Sequence, residues 1–342
     1  MSPIRIEENV ALAPLTTLKV GGAARFYTDA ESEADLLEAV EFARSRDLPV
    51  FILGGGSNIL VSDRGFAGLV IHVALRGIDF RDDMVTAAAG EDWDEFCAKS
   101  VARNLAGIEC LSGIPGLVGG TPVQNVGAYG QEVSDSIVTV RALDLESGTL
   151  VELSNAECRF GYRRSIFNTD CRGRYVVTSV TFRLALGGSP LIAYKDLKSV
   201  FGDRIPSLAE TRETVCRIRE SKGMLVRQGG ADSQSAGSFF KNPVVGKAVF
   251  DGIRDRFSSI PGFESPDGSV KIPAAWLIEQ SGFAKGFVLG RAGLSTCHTL
   301  AVTNRGGATA SEIVRLKDLI AERVRDVFGI ELAVEPIFVG FD

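Results

Sequence analysis

The chain has 342 residues, 45% of them apolar and 23% charged, an ordinary composition for a globular protein with a sizeable buried core. Its 37 basic and 43 acidic side chains give a formal net charge of −6, which excludes a general electrostatic attraction to nucleic acid or anionic membranes. An anionic ligand would therefore need a local pocket of backbone amides and a few basic side chains.

The first 17 residues alternate polar and apolar side chains and contain two prolines. They lack the basic start and apolar run that mark a signal peptide. No later stretch is apolar for long enough to span a bilayer. The expected location is the cytoplasm.

The segment from Phe26 to Asn58 reads as an α/β unit. Thr28 and Glu31 have the spacing of a capping box, which predicts the start of a helix. Apolar residues at helical spacing follow, namely Leu36, Leu37, Val40 and Ala43. Pro49 ends that pattern, Val50 to Leu53 reads as a buried strand, and a glycine turn follows.

Further elements of both kinds are predicted downstream. The expected strands are Leu69–Val73, Met84–Ala89, Ile137–Leu145, Thr149–Leu153, Tyr175–Leu186 and Ile330–Val339. One expected helix carries Trp93, Phe96, Cys97 and Val101 on one face. Two more are expected at Thr211–Arg219 and Pro273–Gln280. A last helix should begin at Thr309, with Glu312 three residues later, and end at Gly329. Gly187–Pro190 is a plausible boundary, and Arg227–Gly237 is polar and glycine-rich.

The first glycine loop, Ile52 to Leu60, places Gly54, Gly55 and Gly56 directly after a buried strand. Glycine lets the backbone approach a ligand closely, and consecutive amides can form an anion nest to which Ser57 and Asn58 would add polar groups. A tight strand-to-loop turn explains this loop, taken alone, about as well.

The second glycine loop, Ile114 to Gly130, is irregular in pattern yet rich in apolar residues. Five side chains should bury it, namely Leu117, Val118, Val123, Val126 and Tyr129. A buried irregular backbone leaves amides that need partners, and a pyrophosphate would satisfy several at once. The alternative is a compact loop held by its own side chains; two such loops in one chain favour a ligand site.

Several common sites are excluded by pattern. Ile59 occupies the third glycine position of a dinucleotide fingerprint, and no phosphate-loop, G-x-S-x-G or H-E-x-x-H motif occurs. Only His72 and His298 are present, so no metal site is expected. The cysteines include no C-x-x-C pair and are expected to be free thiols: Cys97, Cys110, Cys158, Cys171, Cys216 and Cys297.

The two glycine loops resemble those of the vanillyl-alcohol-oxidase or p-cresol-methylhydroxylase type of FAD-binding domain. Within that group the chain resembles the UDP-N-acetylenolpyruvoylglucosamine reductase family. The resemblance continues through Arg159–Phe167 (RFGYRRSIF), Ala236–Pro243 (AGSFFKNP) and Glu335–Gly340 (EPIFVG), in the family's order. The segment around Tyr194 (LIAYKDL) resembles the family's longer subclass, in which a tyrosine loop closes over the substrate.

The resemblance implies an α+β fold. It has an FAD-binding domain in two α/β lobes, residues 1–70 and 71–200, with the FAD-binding region spanning about 17–186, and a smaller α+β substrate domain at 201–342. The implied cofactor is non-covalent FAD, with NADPH as co-substrate. The residues expected to bind FAD are Gly54, Gly55, Gly56, Ser57, Asn58, Pro115, Gly116, Gly119, Gly120, Thr121, Gln124, Asn125, Gly127 and Ala128.

Three side chains are expected to carry the chemistry. The resemblance makes Ser238 the proton donor to the substrate carbon, although a serine that caps a turn is commoner in an arbitrary protein. Glu335 stands in an apolar run before Pro336, where an edge residue facing water is the alternative. The family pattern selects Arg163, directly after Gly-Tyr, as the functional arginine and leaves Arg164 on the surface.

The implied reaction is the NADPH-dependent reduction of an enolpyruvyl nucleotide-sugar in peptidoglycan precursor synthesis. Hydride would pass from NADPH through FAD to the vinyl carbon, Arg163 would stabilise charge on the substrate carboxylate with Glu335 beside it, and Ser238 would protonate the α-carbon. Tyr194, Lys222 and Asn242 are the expected substrate-binding residues, although the segment Gly223–Ser235 is longer and more polar than the family pattern.

The expected partners are this small molecule alone, with no nucleic acid or membrane, and the chain is expected to be a monomer. Two other functions stay open. One is a flavin oxidase that uses oxygen on a different alcohol or sugar, and the other is a non-catalytic nucleotide-sugar binding protein.

Overall fold

The computed structural model describes residues 4–225 and 232–341. The chain divides into two compact units, each built from several separate segments. The first unit is Met1–Val10, Ala24–Gly56 and Phe66–Ser221, and the second is Ala11–Ala23, Ser57–Gly65 and Lys222–Asp342. The predicted FAD-binding lobes at residues 1–70 and 71–200, and the predicted substrate domain at residues 201–342, stay predictions.

The described chain contains many short strands and fewer helices, mixed along the sequence. The strands are β1 (Glu7–Ala11), β2 (Ala23–Ala30), β3 (Val50–Leu53), β4 (Ile59–Val61), β5 (Phe66–Val73), β6 (Ile78–Arg81), β7 (Met84–Ala88), β8 (Leu105–Ala106), β9 (Gly127–Ala128), β10 (Gln131–Glu132), β11 (Ile137–Asp144), β12 (Thr149–Ser154), β13 (Tyr175–Arg183), β14 (Ala185–Leu186), β15 (Ser235–Ser238), β16 (Val244–Gly246), β17 (Phe263–Glu264), β18 (Ser269–Lys271), β19 (Val288–Leu289), β20 (Ala292–Leu294), β21 (Ala301–Asn304) and β22 (Ile337–Val339). The α-helices are α1 (Glu33–Arg44), α2 (Trp93–Ala102), α3 (Lys195–Phe201), α4 (Leu208–Ser221), α5 (Lys247–Arg256), α6 (Ala274–Gln280) and α7 (Ala310–Phe328).

The first unit contains two larger sheets. One has the order β1-β2-β5-β3, with β5 parallel to both β2 and β3. The other has the order β12-β11-β13-β7-β6 and is antiparallel throughout. Their apolar faces and helices α1 and α2 share one core, in which Trp93, Phe96 and Phe182 are fully buried and in ring contact.

The second unit is built on an antiparallel sheet in the order β15-β21-β20-β19. A small sheet in the order β16-β18-β17 and the parallel pair β22-β4 complete its strands. The amphipathic helix α7 buries Ile313, Leu316, Ile320 and Val324 in the core of this unit. Strand β4 belongs here although its neighbours along the chain lie in the first unit.

The helix ends test the capping predictions. Thr309 caps α7 as predicted, with its side chain accepting from the Glu312 amide, and Gly329 ends that helix in the left-handed conformation. The predicted cap at Thr28 and Glu31 is wrong, because Thr28 lies inside β2 and Ser32 caps α1 by accepting from the Asp35 amide. Ser32 directly precedes the first residue of α1, so its side-chain oxygen can reach an amide of the first helical turn that has no partner within the helix.

The predicted strand Ile330–Val339 is also wrong in extent, because only Ile337–Val339 is a strand. Pro336 has no amide hydrogen for a ladder, so regular pairing begins after it. Before it, an isolated bridge joins Val334 to Phe240. The polar segment Arg227–Gly237 lies partly outside the described residues, and its last three residues belong to β15.

Among the described residues, none of the helices combines the length and the hydrophobicity needed to cross a bilayer.

Candidate active site

The two predicted glycine loops meet in the first unit. A Cβ atom on Gly55 would lie 2.7 Å from the Gly116 Cα, so the two backbones are in direct contact at these residues. Gly116 has a φ of 129° and Gly56 a φ of 61°, both in the range that glycine permits. By contrast, a Cβ on Gly54 or Gly120 would meet no atom of the described residues, 4–225 and 232–341, within 4 Å. The contact therefore leaves open space on the other side of each loop.

Several amides of the second loop already have hydrogen-bond partners in the protein. The amides of Val118 and Gly119 donate to the carbonyls of Glu91 and Ala89, while those of Gly120 and Thr121 close a turn within the loop. Protein carbonyls already satisfy these four amides, so a pyrophosphate is not needed as their partner. Whether the loop binds a ligand through its other groups stays a prediction. The apolar burial was predicted correctly for Val118, Val126 and Tyr129, which are less than a tenth exposed.

Asn125 joins the second loop to neighbouring residues through side-chain hydrogen bonds. It is buried and has a φ of 45°, a left-handed conformation that asparagine tolerates. Its Nδ2 donates to Glu132 Oε2 at 2.7 Å and to the Gly161 carbonyl at 3.1 Å, and its Oδ1 accepts from the Ser134 amide. These bonds engage both N–H donors of the side-chain amide, so Asn125 cannot also donate from Nδ2 to a cofactor in this arrangement.

Arg163 is joined to the same loop. Gly161 and Arg164 exchange backbone hydrogen bonds at 2.9 and 3.0 Å, which places Arg163 at the tip of a tight turn with a φ of 53°. This conformation is strained for a non-glycine residue. The guanidinium Nη2 donates to the Gly127 carbonyl at 2.9 Å. Nearby, the Ser165 hydroxyl donates to the Val123 carbonyl at 2.5 Å, so two bonds fix the turn against the loop.

Tyr194 also lies against the second loop. It is the N-cap residue of α3 and its side chain is 44% exposed. Its ring contacts the ring of Tyr129 edge-on, with 5.5 Å between centroids. Within the first unit, the structure thus brings together four predicted groups, namely Gly54–Gly56, the second loop, Arg163 and Tyr194.

In the second unit, Glu335 is held by both of its backbone polar groups. Its amide donates to the Phe239 carbonyl at 2.9 Å, and its carbonyl accepts from Asn58 Nδ2 at 3.3 Å. Asn58 in turn accepts at its own carbonyl from the Ile337 amide at 2.9 Å. Asn58 was predicted to bind FAD and Glu335 to take part in catalysis. The two residues lie 277 positions apart in the sequence, and the structure brings them into contact.

Ser238 follows a β-bulge in β15. Ser235 pairs with Thr303 and Ser238 pairs with Ala301, so β15 carries one residue more than β21 between the two pairs. Gly237 supplies the bend with a φ of 70°. Bulges of this kind redirect a side chain and are frequent beside active sites. Ser238 therefore lies at the end of a strand, directly after the bulge.

The other predicted residues of the second unit have separate surroundings. The Asn242 Oδ1 accepts from the Ala274 amide at 2.9 Å, so this side chain caps α6. Lys222 is half-buried, and its charge adds to burial in lowering the pKa of His298. Ser57 is half-buried at the start of the segment that contains β4.

Sequence reasoning missed one buried cation next to the second loop. Arg219, in α4, is 9% exposed and donates from Nε to the Gly113 carbonyl at 3.0 Å. Burial lowers the pKa of its guanidinium, while the neighbouring Tyr129, Cys216 and Asp94 act in the opposite direction. The helical pattern places Arg219 at the end of a helix, where a basic residue is ordinary, so the sequence gives no signal that it is buried.

Family models match two parts of the chain. An FAD-binding-domain model matches residues 24–154, and a model described as the C-terminal domain of UDP-N-acetylenolpyruvoylglucosamine reductase matches residues 229–339. The reductase of Streptomyces coelicolor is 43% identical over 353 residues, which cover 99% of this chain and 92% of the relative. The reductase of Thermobifida fusca is 44% identical, with 97% of each chain covered. A crystal structure of the Thermus caldophilus reductase matches with a TM-score of 0.69 at 25% identity, covering 98% of this chain and 99% of that chain.

The loop geometry fits a dinucleotide cofactor, since two glycines face open space where a ligand could approach the backbone. Together with the matching domain model, this defines a flavoprotein oxidoreductase with FAD as its cofactor. The chain belongs to the UDP-N-acetylenolpyruvoylglucosamine reductase family. The predicted family and the predicted α+β fold with this type of FAD-binding domain are confirmed.

Proposed function

We propose that this protein reduces UDP-N-acetylglucosamine enolpyruvate to UDP-N-acetylmuramate at the expense of NADPH, in peptidoglycan precursor synthesis. The observation that carries the proposal is the glycine contact at Gly55 and Gly116, in a chain that aligns over nearly its whole length with reductases of that name. The protein acts as a monomer in the cytoplasm, and its partners are these small molecules alone.

Bound FAD supplies the hydride relay between NADPH and the enolpyruvyl group. The residues that would hold it are the predicted set from Gly54–Asn58 and the second loop. The glycine faces that meet open space admit the pyrophosphate close to the backbone. The bonds of Asn125 keep the second loop in one conformation, so little ordering is left for the moment of binding.

Arg163 binds the substrate carboxylate in this proposal. Its guanidinium carries a permanent charge and a planar set of donors that match a carboxylate. The bond from Nη2 to the Gly127 carbonyl orients the guanidinium group. Negative charge grows on the carboxylate when hydride adds to the vinyl carbon, so a fixed cation stabilises the transition state more than the ground state. Glu335 orients the same carboxylate or its water, since its own backbone is fixed at both ends.

Ser238 delivers the proton that completes the reduction. Hydride on the terminal carbon and a proton on the α-carbon convert the vinyl ether into a lactyl ether, which balances the reaction with one NADPH and one proton. A serine hydroxyl is a weak acid, so its neighbours must polarise it and water must be kept away. The bulge at Gly237 supports this role because it sets the direction of the Ser238 side chain.

The proposed function is tested by following the flavin absorbance of the purified protein. NADPH should bleach it under anaerobic conditions, and the enolpyruvyl sugar should restore it with one UDP-N-acetylmuramate formed per flavin. Restoration by oxygen with peroxide formation, and no response to the sugar, would indicate a flavin oxidase. A colourless protein that binds the sugar without releasing flavin on denaturation would indicate a binding protein.

A second prediction concerns Arg163→Lys. The lysine keeps the charge but loses the planar donor set, so the rate of flavin reoxidation by the sugar should fall about tenfold, with flavin reduction by NADPH unchanged. Arg164→Lys is the matched control, because Arg164 is exposed and is held in the same turn by its backbone. Equal effects of the two substitutions on reoxidation would remove Arg163 from the reaction.

A further inference from the structure

A buried carboxylate, that of Glu109, lies behind the second glycine loop, and the proposed reaction does not use it. Glu109 is fully buried, with an exposed fraction of 0%. Its Oε1 accepts from Gln131 Nε2 at 2.7 Å and from the Leu191 amide at 3.0 Å, and its Oε2 accepts from the Gly107 amide at 2.7 Å. A buried carboxylate is costly unless it is bonded in this way, so its presence calls for a reason.

One oxygen of Glu109 joins two segments with predicted roles. Gln131 starts β10, which pairs with β9, and β9 contains the Gly127 carbonyl that holds Arg163. Leu191 stands three residues before Tyr194, at the start of the tyrosine segment. The two donors to Oε1 therefore come from the hairpin of the cofactor loop and from the base of the tyrosine segment.

The next residue, Cys110, forms a second hydrogen bond to the backbone of Leu191. Its thiol donates to the Leu191 carbonyl at 3.2 Å, while its amide donates to Gln131 Oε1 at 2.8 Å. Burial raises the pKa of this thiol, with the Glu109 charge acting in the same direction, so it stays a donor. Both backbone polar groups of Leu191 are thus bonded to consecutive side chains, Glu109 and Cys110.

Beyond Leu191, contacts with the cofactor loop continue up to Tyr194. A Cβ on Gly130 would lie 3.3 Å from the Ala193 Cβ, and the Tyr194 ring packs on Tyr129. The Tyr194 side chain is 44% exposed. Its carbonyl accepts from the Lys198 amide at 2.9 Å at the start of α3, so the bonds at Leu191 hold the other side of Tyr194, where the segment enters from the chain before it.

We propose that Glu109 is a positioning residue for substrate binding, which with Cys110 fixes Leu191 and thereby places Tyr194 over the cofactor loop. This inference rests on the proposed role of Tyr194 in binding the nucleotide-sugar. Loss of the bonds to Leu191 should allow the tyrosine segment to leave its place, so the sugar binds more weakly. Reduction by NADPH does not need Tyr194 and should be unaffected.

The main test compares Cys110→Ala and Glu109→Ala with Cys97→Ala, in the FAD-loaded enzyme. Cys97 is an equally buried thiol of the same unit, in α2, and is not one of the two side chains that bond the backbone of Leu191, so it controls for truncation of a buried cysteine. The KM for the enolpyruvyl sugar should rise about threefold in Cys110→Ala and about tenfold in Glu109→Ala. The rate of flavin reduction by NADPH should change less than about twofold in each variant.

A double-mutant cycle with Tyr194→Ala separates positioning from a general loss of structure. If Glu109 acts through Tyr194, the rise in KM disappears when Tyr194 is already alanine. A rise that persists on that background, or one of equal size in Cys97→Ala, overturns the proposal. Cys110→Ala carries the test alone if Glu109→Ala does not fold.

Amide hydrogen exchange supplies a readout that does not depend on catalysis. The Leu191 amide should lose protection in Glu109→Ala while the amides of α2 keep theirs. Unchanged protection of Leu191 would contradict the anchoring role. Wild-type enzyme that ignores the enolpyruvyl sugar would instead refute the proposed function, and the exchange data would still decide whether Glu109 holds this segment.

Discussion

Replacement of Ser238 by alanine should leave flavin reduction by NADPH nearly intact and slow flavin reoxidation by the enolpyruvyl sugar by more than about 100-fold. In the proposed reaction the hydroxyl donates a proton only in the second half-reaction, so the rate of the first should not change when it is lost. Loss of a general acid commonly slows proton transfer by this factor or more, because water is a poorer and less well positioned donor. Stopped-flow measurement of each half-reaction separates the two effects.

Ser235→Ala is the matched control for this experiment, since it removes a hydroxyl from the same strand. Ser235 is buried and pairs with Thr303 at the other side of the bulge, and its hydroxyl accepts only a long bond of 3.4 Å from the Gly237 amide. Its loss should change both half-reactions by similar, small factors. Equal slowing of both half-reactions in Ser238→Ala would mean that Ser238 supports the structure of the site and does not donate the proton.

Local patterns predicted the regular elements well. The apolar spacing and the capping box of α7 are local features, and the observed helix begins after Thr309 and ends at Gly329 as expected. The strand Val50–Leu53 has the bounds that its apolar run predicts. In these cases the stabilising contacts lie within one or two turns of the chain, so the sequence contains them directly.

The division into units could not be predicted, because it depends on pairing between distant parts of the chain. Strand β4 pairs in parallel with β22, so residues 59–61 join residues 337–339 in the second unit. Neither strand is distinctive in sequence, and each is only three residues long. The contact of Asn58 with Glu335 follows from that pairing and is equally invisible in the sequence.

The sequence around Glu109 indicates a buried carboxylate, although no role was predicted for this residue. It stands in the run Ile108-Glu109-Cys110-Leu111, a carboxylate among apolar residues, as Glu335 does near the end of the chain. The same argument from the cost of a buried charge applies to both positions. The local partner Gly107 lies two residues away, but Gln131 and Leu191 could not be identified from the sequence, because they reach Glu109 from two distant segments.

The second prediction with a large effect separates the two sides of the first glycine loop. Gly55→Ala should destabilise the protein by about 1–3 kcal/mol, because the new Cβ would lie 2.7 Å from the Gly116 Cα and backbone must move. Gly54→Ala should leave the stability of the FAD-free protein unchanged, since the new Cβ meets nothing within 4 Å. It should nevertheless weaken FAD binding by about 10- to 100-fold, because the methyl group fills space that the cofactor needs.

Thermal unfolding of the FAD-free protein and a fluorescence titration with FAD measure the two quantities separately. Gly120→Ala tests the second loop in the same way, because its added Cβ also meets nothing within 4 Å. Gly252→Ala is the control: it lies in α5, its Cβ would be equally unobstructed, and alanine there should slightly raise stability without changing FAD affinity. Wild-type affinity for FAD in both Gly54→Ala and Gly120→Ala would show that the open faces of the loops are not where the cofactor lies. The contact between Gly55 and Gly116 would then serve packing alone, and the proposed reaction would lose its cofactor site.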